Sequence, residues 1–193
     1  DKEKLQWEMG FLFQKVDSVC ARGDIKTPYT FEFRMFTYEM CDLLGRSRPH
    51  VFTHRDYHSR NLLMHNGDLM VIDYQDARLG LPWYDLASLL YDPYVSLSAE
   101  DRRWGFDYYC ERSGCAPRWS LFLLQAAQRV LKALGTYLFV AYEKNQTQYR
   151  ASISEALQRL EDIVQSARLP DSAFLFISAF RHDLEPRLDH LPE

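Results

Sequence analysis

His54-Arg55-Asp56-Tyr57-His58-Ser59-Arg60-Asn61-Leu62-Leu63-Met64-His65-Asn66-Gly67-Asp68-Leu69-Met70-Val71-Ile72-Asp73 holds two short apolar runs around Asn66-Gly67. Asn-Gly between apolar runs signals a two-residue hairpin loop, because both central residues of a type I′ turn need positive φ. With Asn66-Gly67 as the loop, His65 faces Asp68, Met64 faces Leu69 and Asn61 faces Ile72. The open end of the hairpin then brings Asn61 and Asp73 together, next to the loop carrying Asp56. Val51-Phe52-Thr53 reads as a further short strand.

Outside this ribbon the pattern is helical. Leu5, Met9, Leu12, Phe13, Val16 and Cys20 recur at three- and four-residue steps, and Gly23-Asp24 ends that helix. A second helix is expected over Phe31–Leu44, with Phe36, Met40, Leu43 and Leu44 inward and Gly45 as its stop. Trp83–Tyr91 reads as a short helix behind Pro82. Ser98 caps another, with Glu100 and Asp101 in its first turn, running to about Glu111. Long helices follow over about Arg118–Lys144, Gln148–Ala167 and Asp171–His190. The stripe Leu121, Leu124, Ala127, Leu131, Leu134 and Leu138 reads as core, Arg102-Arg103 as exposed charge, and His182 and His190 as solvated. The expectation is one domain over residues 1–193, mainly α with a small β-hairpin.

Composition narrows the function classes. In 193 residues, 47% are hydrophobic and 15% aromatic, enough for a bulky packed core. A net charge of −4 gives no electrostatic reason to expect nucleic acid or a membrane surface as partner. No apolar run approaches the ~18 residues of a membrane span. Cys20, Cys41, Cys110 and Cys115 form no CxxC pair and read as reduced thiols, which suits the cytoplasm. The charged start, Asp1-Lys2-Glu3-Lys4, is unlike a signal peptide and reads as the interior of a longer chain.

The chemistry-bearing residues are His54-Arg55-Asp56, then Asn61, then Asp73. A loop carboxylate can orient a hydroxyl and take its proton, while an amide oxygen and a second carboxylate are hard ligands of the kind Mg²⁺ prefers. His54 reads as a core histidine tying the loop to the fold. A different arrangement, His54, Asp56 and His58 as the transition-metal cluster of a metallohydrolase, is open on the same residues.

The pattern H-R-D-x₄-N resembles the catalytic loop of the protein-kinase superfamily. Ile72-Asp73-Tyr74-Gln75-Asp76-Ala77, followed by Gly80-Leu81-Pro82-Trp83-Tyr84-Asp85-Leu86-Ala87, is similar to the aminoglycoside phosphotransferase and choline kinase branch. With Gln128-Arg129 and Leu131-Lys132, the wording is similar to bacterial kinases of cell-wall amino sugars. The resemblance implies a kinase-like C-terminal lobe that moves the ATP γ-phosphoryl group, with Mg²⁺, to a hydroxyl of a small molecule, an amino sugar being the leading acceptor. It implies Asp56 as catalytic base, Asn61 and Asp73 as metal ligands carrying Mg-ATP, and Asp76 as a further metal or substrate residue. It implies Asp85, with His54, as support of the catalytic loop, and residues 51–92 as the catalytic segment. Neither a Gly-rich loop nor a strand lysine is present, so an N-terminal lobe is expected from the same longer chain, and the isolated chain is expected to be inactive. The competing expectation is a non-catalytic kinase-like module. Tyr94, Trp104, Tyr108 and Tyr109 stand as candidates for a sugar-stacking wall or for core.

Overall fold

The computed structural model describes residues 1–191. Its helices are α1 (Lys2–Arg22), α2 (Phe31–Arg46), α3 (Tyr84–Leu90), α4 (Ala99–Ser113), α5 (Trp119–Leu138), α6 (Arg150–Ala167) and α7 (Asp171–Ala179). The strands are β1 (Val51–Thr53), β2 (Leu62–His65), β3 (Asp68–Val71) and β4 (Arg78–Gly80). The fold is mainly helical with small antiparallel ribbons, as the periodicities implied.

The hairpin has the expected register. His65 pairs with Asp68, Met64 with Leu69, and Ile72 N donates to Asn61 O at 3.1 Å just beyond the ladder. Asn66 and Gly67 take φ of 52° and 88°, as a type I′ turn requires. A second ribbon was not foreseen: β1 pairs antiparallel with β4, Thr53 lying opposite Arg78. Three-residue strands separated by 24 residues leave little local signal. Leu63, Met64, Leu69, Met70, Phe52 and Leu79 stand exposed on these ribbons, an apolar surface unusual on strands so short.

Helix α5 lies at the centre and packs against α1, α2, α3 and α6. Phe122, Leu123, Ala126, Leu134 and Leu138 are buried on it, and Leu121 and Leu124 are half-buried. It is therefore buried nearly all round, as a core helix must be. Glycine at 135 lets α5 approach α1 closely, since a Cβ would stand 3.0 Å from Leu12 Cα of α1. On α1 all six apolar positions of the expected stripe are buried. On α4 the Ser98 cap forms a full capping box with Asp101.

Four expectations need correction. Helix α2 runs through Gly45 to Arg46, and its inner face is Phe33, Thr37, Met40, Cys41 and Leu44, while Leu43 is exposed. Arg102 is buried, not exposed: its guanidinium reaches Leu90 O and Asp162, so the ion pair lets a charge enter the core. The α5 helix gives way after Leu138 to a π-helical stretch, Phe139–Glu143. The last helix ends at Ala179 and continues as a π turn over Phe180–Leu184 and a 3-10 stretch over Glu185–His190. No helix among the described residues is long and apolar enough to cross a membrane.

Candidate active site

The loop between β1 and β2 is held by the two ends of α3. Asp85, in the first turn of α3, accepts hydrogen bonds from His54 N at 2.7 Å and Arg55 N at 2.8 Å. Asp92, two residues past the last residue of α3, accepts from Ser59 N at 2.8 Å and Tyr94 N at 2.9 Å. A charged acceptor makes each of these bonds stronger than a neutral one would be. The histidine closes the loop onto the hairpin: His54 Nε2 lies 2.9 Å from Ile72 O, and Asp56 N donates to His54 Nδ1 at 3.3 Å. A carbonyl can only accept, so Nε2 carries the proton and the Nδ1 lone pair is taken by Asp56 N–H. No lone pair of His54 is left for a metal, which removes the His54, Asp56 and His58 cluster considered from sequence. Among the described residues, no group of three His, Cys, Asp or Glu side chains is arranged to hold a metal ion.

Two residues of the site have left-handed backbone: Arg55 at φ 77° and Asp73 at φ 69°. Each such conformation costs on the order of 1–3 kcal/mol and persists only where surroundings over-determine it. For Arg55 those surroundings are explicit. Its guanidinium is buried in an ion pair with Glu8 of α1 and lies 4.9 Å over the Tyr84 ring. Glu8 in turn accepts from Gln128 of α5 at 2.8 Å.

Asp56, Asn61, Asp73 and Asp76 line one open cleft of about 510 Å³, together with His58, Arg60, Tyr94, Arg129, Lys132, Tyr137 and Tyr149. Asn61 donates its amide N–H to Asp56 O at 2.9 Å. That leaves the amide oxygen as the free acceptor. Gln75 donates to Asp73 Oδ1 at 2.5 Å, and Asp73 Oδ2 has no hydrogen-bond partner among the described residues. Asp76 also lines an adjoining hollow of about 230 Å³ that contains Trp7, Phe11, Arg78 and Lys132.

The sequence reading assigned nothing to α5 in this cleft. Yet Arg129 Nη2 lies 3.1 Å and Lys132 Nζ 3.2 Å from the same oxygen, Asp56 Oδ1. Burial alone would raise the Asp56 carboxyl, but Lys132 and Arg129 outweigh it and hold it below its ordinary value. Lys132 itself is brought down to about 8, by burial first and then by Arg129. A signal for the pair was present: cations three residues apart on an otherwise apolar helix face inward only if paired.

Of the four aromatic candidates, Tyr94 lines the cleft, with the Arg60 guanidinium 3.4 Å over its ring. Trp104 and Tyr108 are exposed and stack on each other along α4, and Tyr109 donates to Pro82 O at 2.7 Å. None of these three is among the residues lining the cleft.

Against known proteins, a model of the phosphotransferase enzyme family matches residues 10–122, more than half of the chain. The chain belongs to the phosphotransferase enzyme family. The match takes in the loop, both ribbons, α3 and α4. The family member is 32% identical to an N-acetylmuramate/N-acetylglucosamine kinase of Pseudomonas aeruginosa, over 70% of this chain and 43% of that protein. It is 31% identical to the protein of the same name from Neisseria meningitidis serogroup B, over 69% of this chain and 44% of the relative. The phosphotransferase chain thus spans less than half the length of these curated relatives. The sequence-level resemblance and the family assignment agree.

Proposed function

We propose that this chain is the catalytic half of a Mg²⁺-dependent kinase that moves the ATP γ-phosphoryl group to a hydroxyl of an amino sugar. The observation that carries the reading is the convergence of Asp56, Asn61, Asp73 and Asp76 on one open cleft, with Asp56 kept ionised by two cations. Phosphoryl transfer asks little covalent chemistry of a protein, and needs mainly positioning and charge compensation. The relatives, named as kinases of N-acetylmuramate and N-acetylglucosamine, supply the acceptor class.

In this reading Asp56 accepts the hydrogen bond of the acceptor hydroxyl, orients it and takes its proton as the new P–O bond forms. Asn61, through its free amide oxygen, and Asp73, through its carboxylate, would hold Mg²⁺, which neutralises phosphate charge when bound. Their donor set fits that ion: hard oxygens, a single clear carboxylate, and the remaining positions left to phosphates and water. Asp76 stands as a further ligand or an acceptor contact. His54, Asp85 and Asp92 keep the loop backbone in register, so that Asp56 need not reorganise during reaction. Tyr94 and the Arg60 guanidinium over its ring form a wall of the cleft that an acceptor can contact. The exposed apolar ribbons suit a strand-rich N-terminal lobe closing over the nucleotide.

The test is phosphoryl transfer from labelled ATP to a panel of amino sugars and amino alcohols by the full-length protein. Asp56→Asn should lower kcat by about 10²–10⁴-fold with ATP affinity little changed. Equal turnover in the variant would remove Asp56 from the chemistry.

A further inference from the structure

Two cations end on one oxygen of Asp56, and they are not equivalent. Arg129 is immobilised: it is buried, and its Nε donates to Ser88 Oγ at 3.1 Å while Nη2 holds Asp56. Lys132 Nζ has Asp56 as its single hydrogen-bond partner among the described residues, and its side chain remains 21% exposed. It lines both the main cleft and the hollow beside it. Of the other cations nearby, Arg78 lines the adjoining hollow but not the main cleft. Arg55 is turned into the core on Glu8, and Arg60 lies on Tyr94.

Arg129 by itself leaves Asp56 a counter-charge at 3.1 Å, so Lys132 can leave that oxygen without stripping it of partners. A transferring phosphoryl group, for its part, spreads negative charge over three oxygens and is stabilised by fixed cations beside it. We propose that Lys132 is a catalytic residue that changes partner during the reaction, leaving Asp56 for an oxygen of the γ-phosphoryl group in transit. This rests on the kinase reading above.

The exchange serves both ends of the step. The acceptor oxygen forms its bond to the γ-phosphorus, the bond from that phosphorus to the β,γ-bridging oxygen breaks, and ADP leaves. The hydroxyl proton passes to Asp56. Lys132 keeps its own proton throughout. Arg129 stays in place and holds Asp56 in line.

The test is competitive labelling of the full-length protein with an amine-acylating reagent, read at Lys132 by mass spectrometry, with nucleotide binding followed by calorimetry. With Mg²⁺ and a non-hydrolysable ATP analogue, labelling of Lys132 should fall about fivefold or more below that with Mg²⁺ and ADP, since the γ-phosphoryl group is the difference. In turnover, Lys132→Ala should lower kcat by about 10²–10³-fold, the range for loss of one transition-state donor. KM for ATP and acceptor should stay within about threefold, and added ethylamine and Lys132→Arg should each recover part of kcat. Binding of the analogue with no more shielding than ADP would overturn the role of Lys132 and leave the kinase reading standing. Failure to bind any nucleotide would overturn both.

Discussion

Lys132 Nζ sits 3.2 Å from Asp56 Oδ1, a contact between residues 76 positions apart. With Arg129 on the same oxygen, it means that the charge of the loop carboxylate is governed by α5, a core helix, and not by the loop itself. Positioning and electrostatics are divided accordingly. The loop is shaped by α3, through Asp85 and Asp92, and its charge is balanced by α5.

The acid limb of activity follows from that balance. In the proposed kinase reading Asp56 must be ionised to take a proton, so activity should fall as pH drops through its folded value, which lies below the ordinary 3.8. Arg129→Met removes one of the two cations and should move the limb of kcat/KM upward by about one pH unit. A pH profile between 3 and 7, with folding checked by circular dichroism, measures it; a limb that stays in place would mean Arg129 does not tune Asp56.

Asp56→Asn should also weaken the fold. A carboxyl with a lowered folded-state value contributes stability above its unfolded value, near 3.9, and loses it as pH falls through the folded value. At pH 7 the substitution leaves Arg129 and Lys132 facing each other without a counter-charge. We expect a loss of about 1–3 kcal/mol in urea unfolding at pH 7, and a difference from wild type that shrinks as pH falls through the folded value. A variant more stable than wild type at pH 7 would contradict the pairing.

Glu8→Gln leaves the buried Arg55 guanidinium without its partner. Breaking a buried pair on one side costs about 3–5 kcal/mol. For a chain of this size that is a fall in Tm of roughly 6–20 °C. Thermal unfolding measures it, and a shift under about 3 °C would show that Arg55 finds another acceptor. Turnover should fall as well, because Arg55 directly precedes Asp56.

Two glycines on packed helices should respond with opposite signs. At Gly135 an added Cβ meets the α1 backbone at Leu12, so Gly135→Ala should destabilise by about 1–3 kcal/mol. At Gly10 an added Cβ meets nothing within 4 Å, and Gly10→Ala should stabilise α1 by about 0.5–1 kcal/mol. Chemical denaturation of both variants checks the pair.

The hairpin and its register were readable because their causes are local. Asn66-Gly67 accepts the turn that few other pairs accept, and the pleat then dictates which residues face each other. The helical stripes of α1 and α5 and the Ser98 cap were readable for the same reason. The triple Asp56, Asn61 and Asp73 falls on or beside that one local ribbon, so its convergence on a cleft could be expected from spacing alone. What no window of sequence contains is which distant side chains turn toward them. Arg102 reads as solvated charge until Asp162 is seen beside it, and Glu8 looks like an ordinary face of an amphipathic helix until Arg55 meets it. The same holds for β1 and β4, for Asp92, and for the carboxylate that Arg129 and Lys132 share. Local backbone chemistry set the frame in which a carboxylate, an amide and a second carboxylate meet. The charge that makes the first of them usable depends on long-range packing, because electrostatic partners are chosen by distance in space and carry no periodicity along the chain.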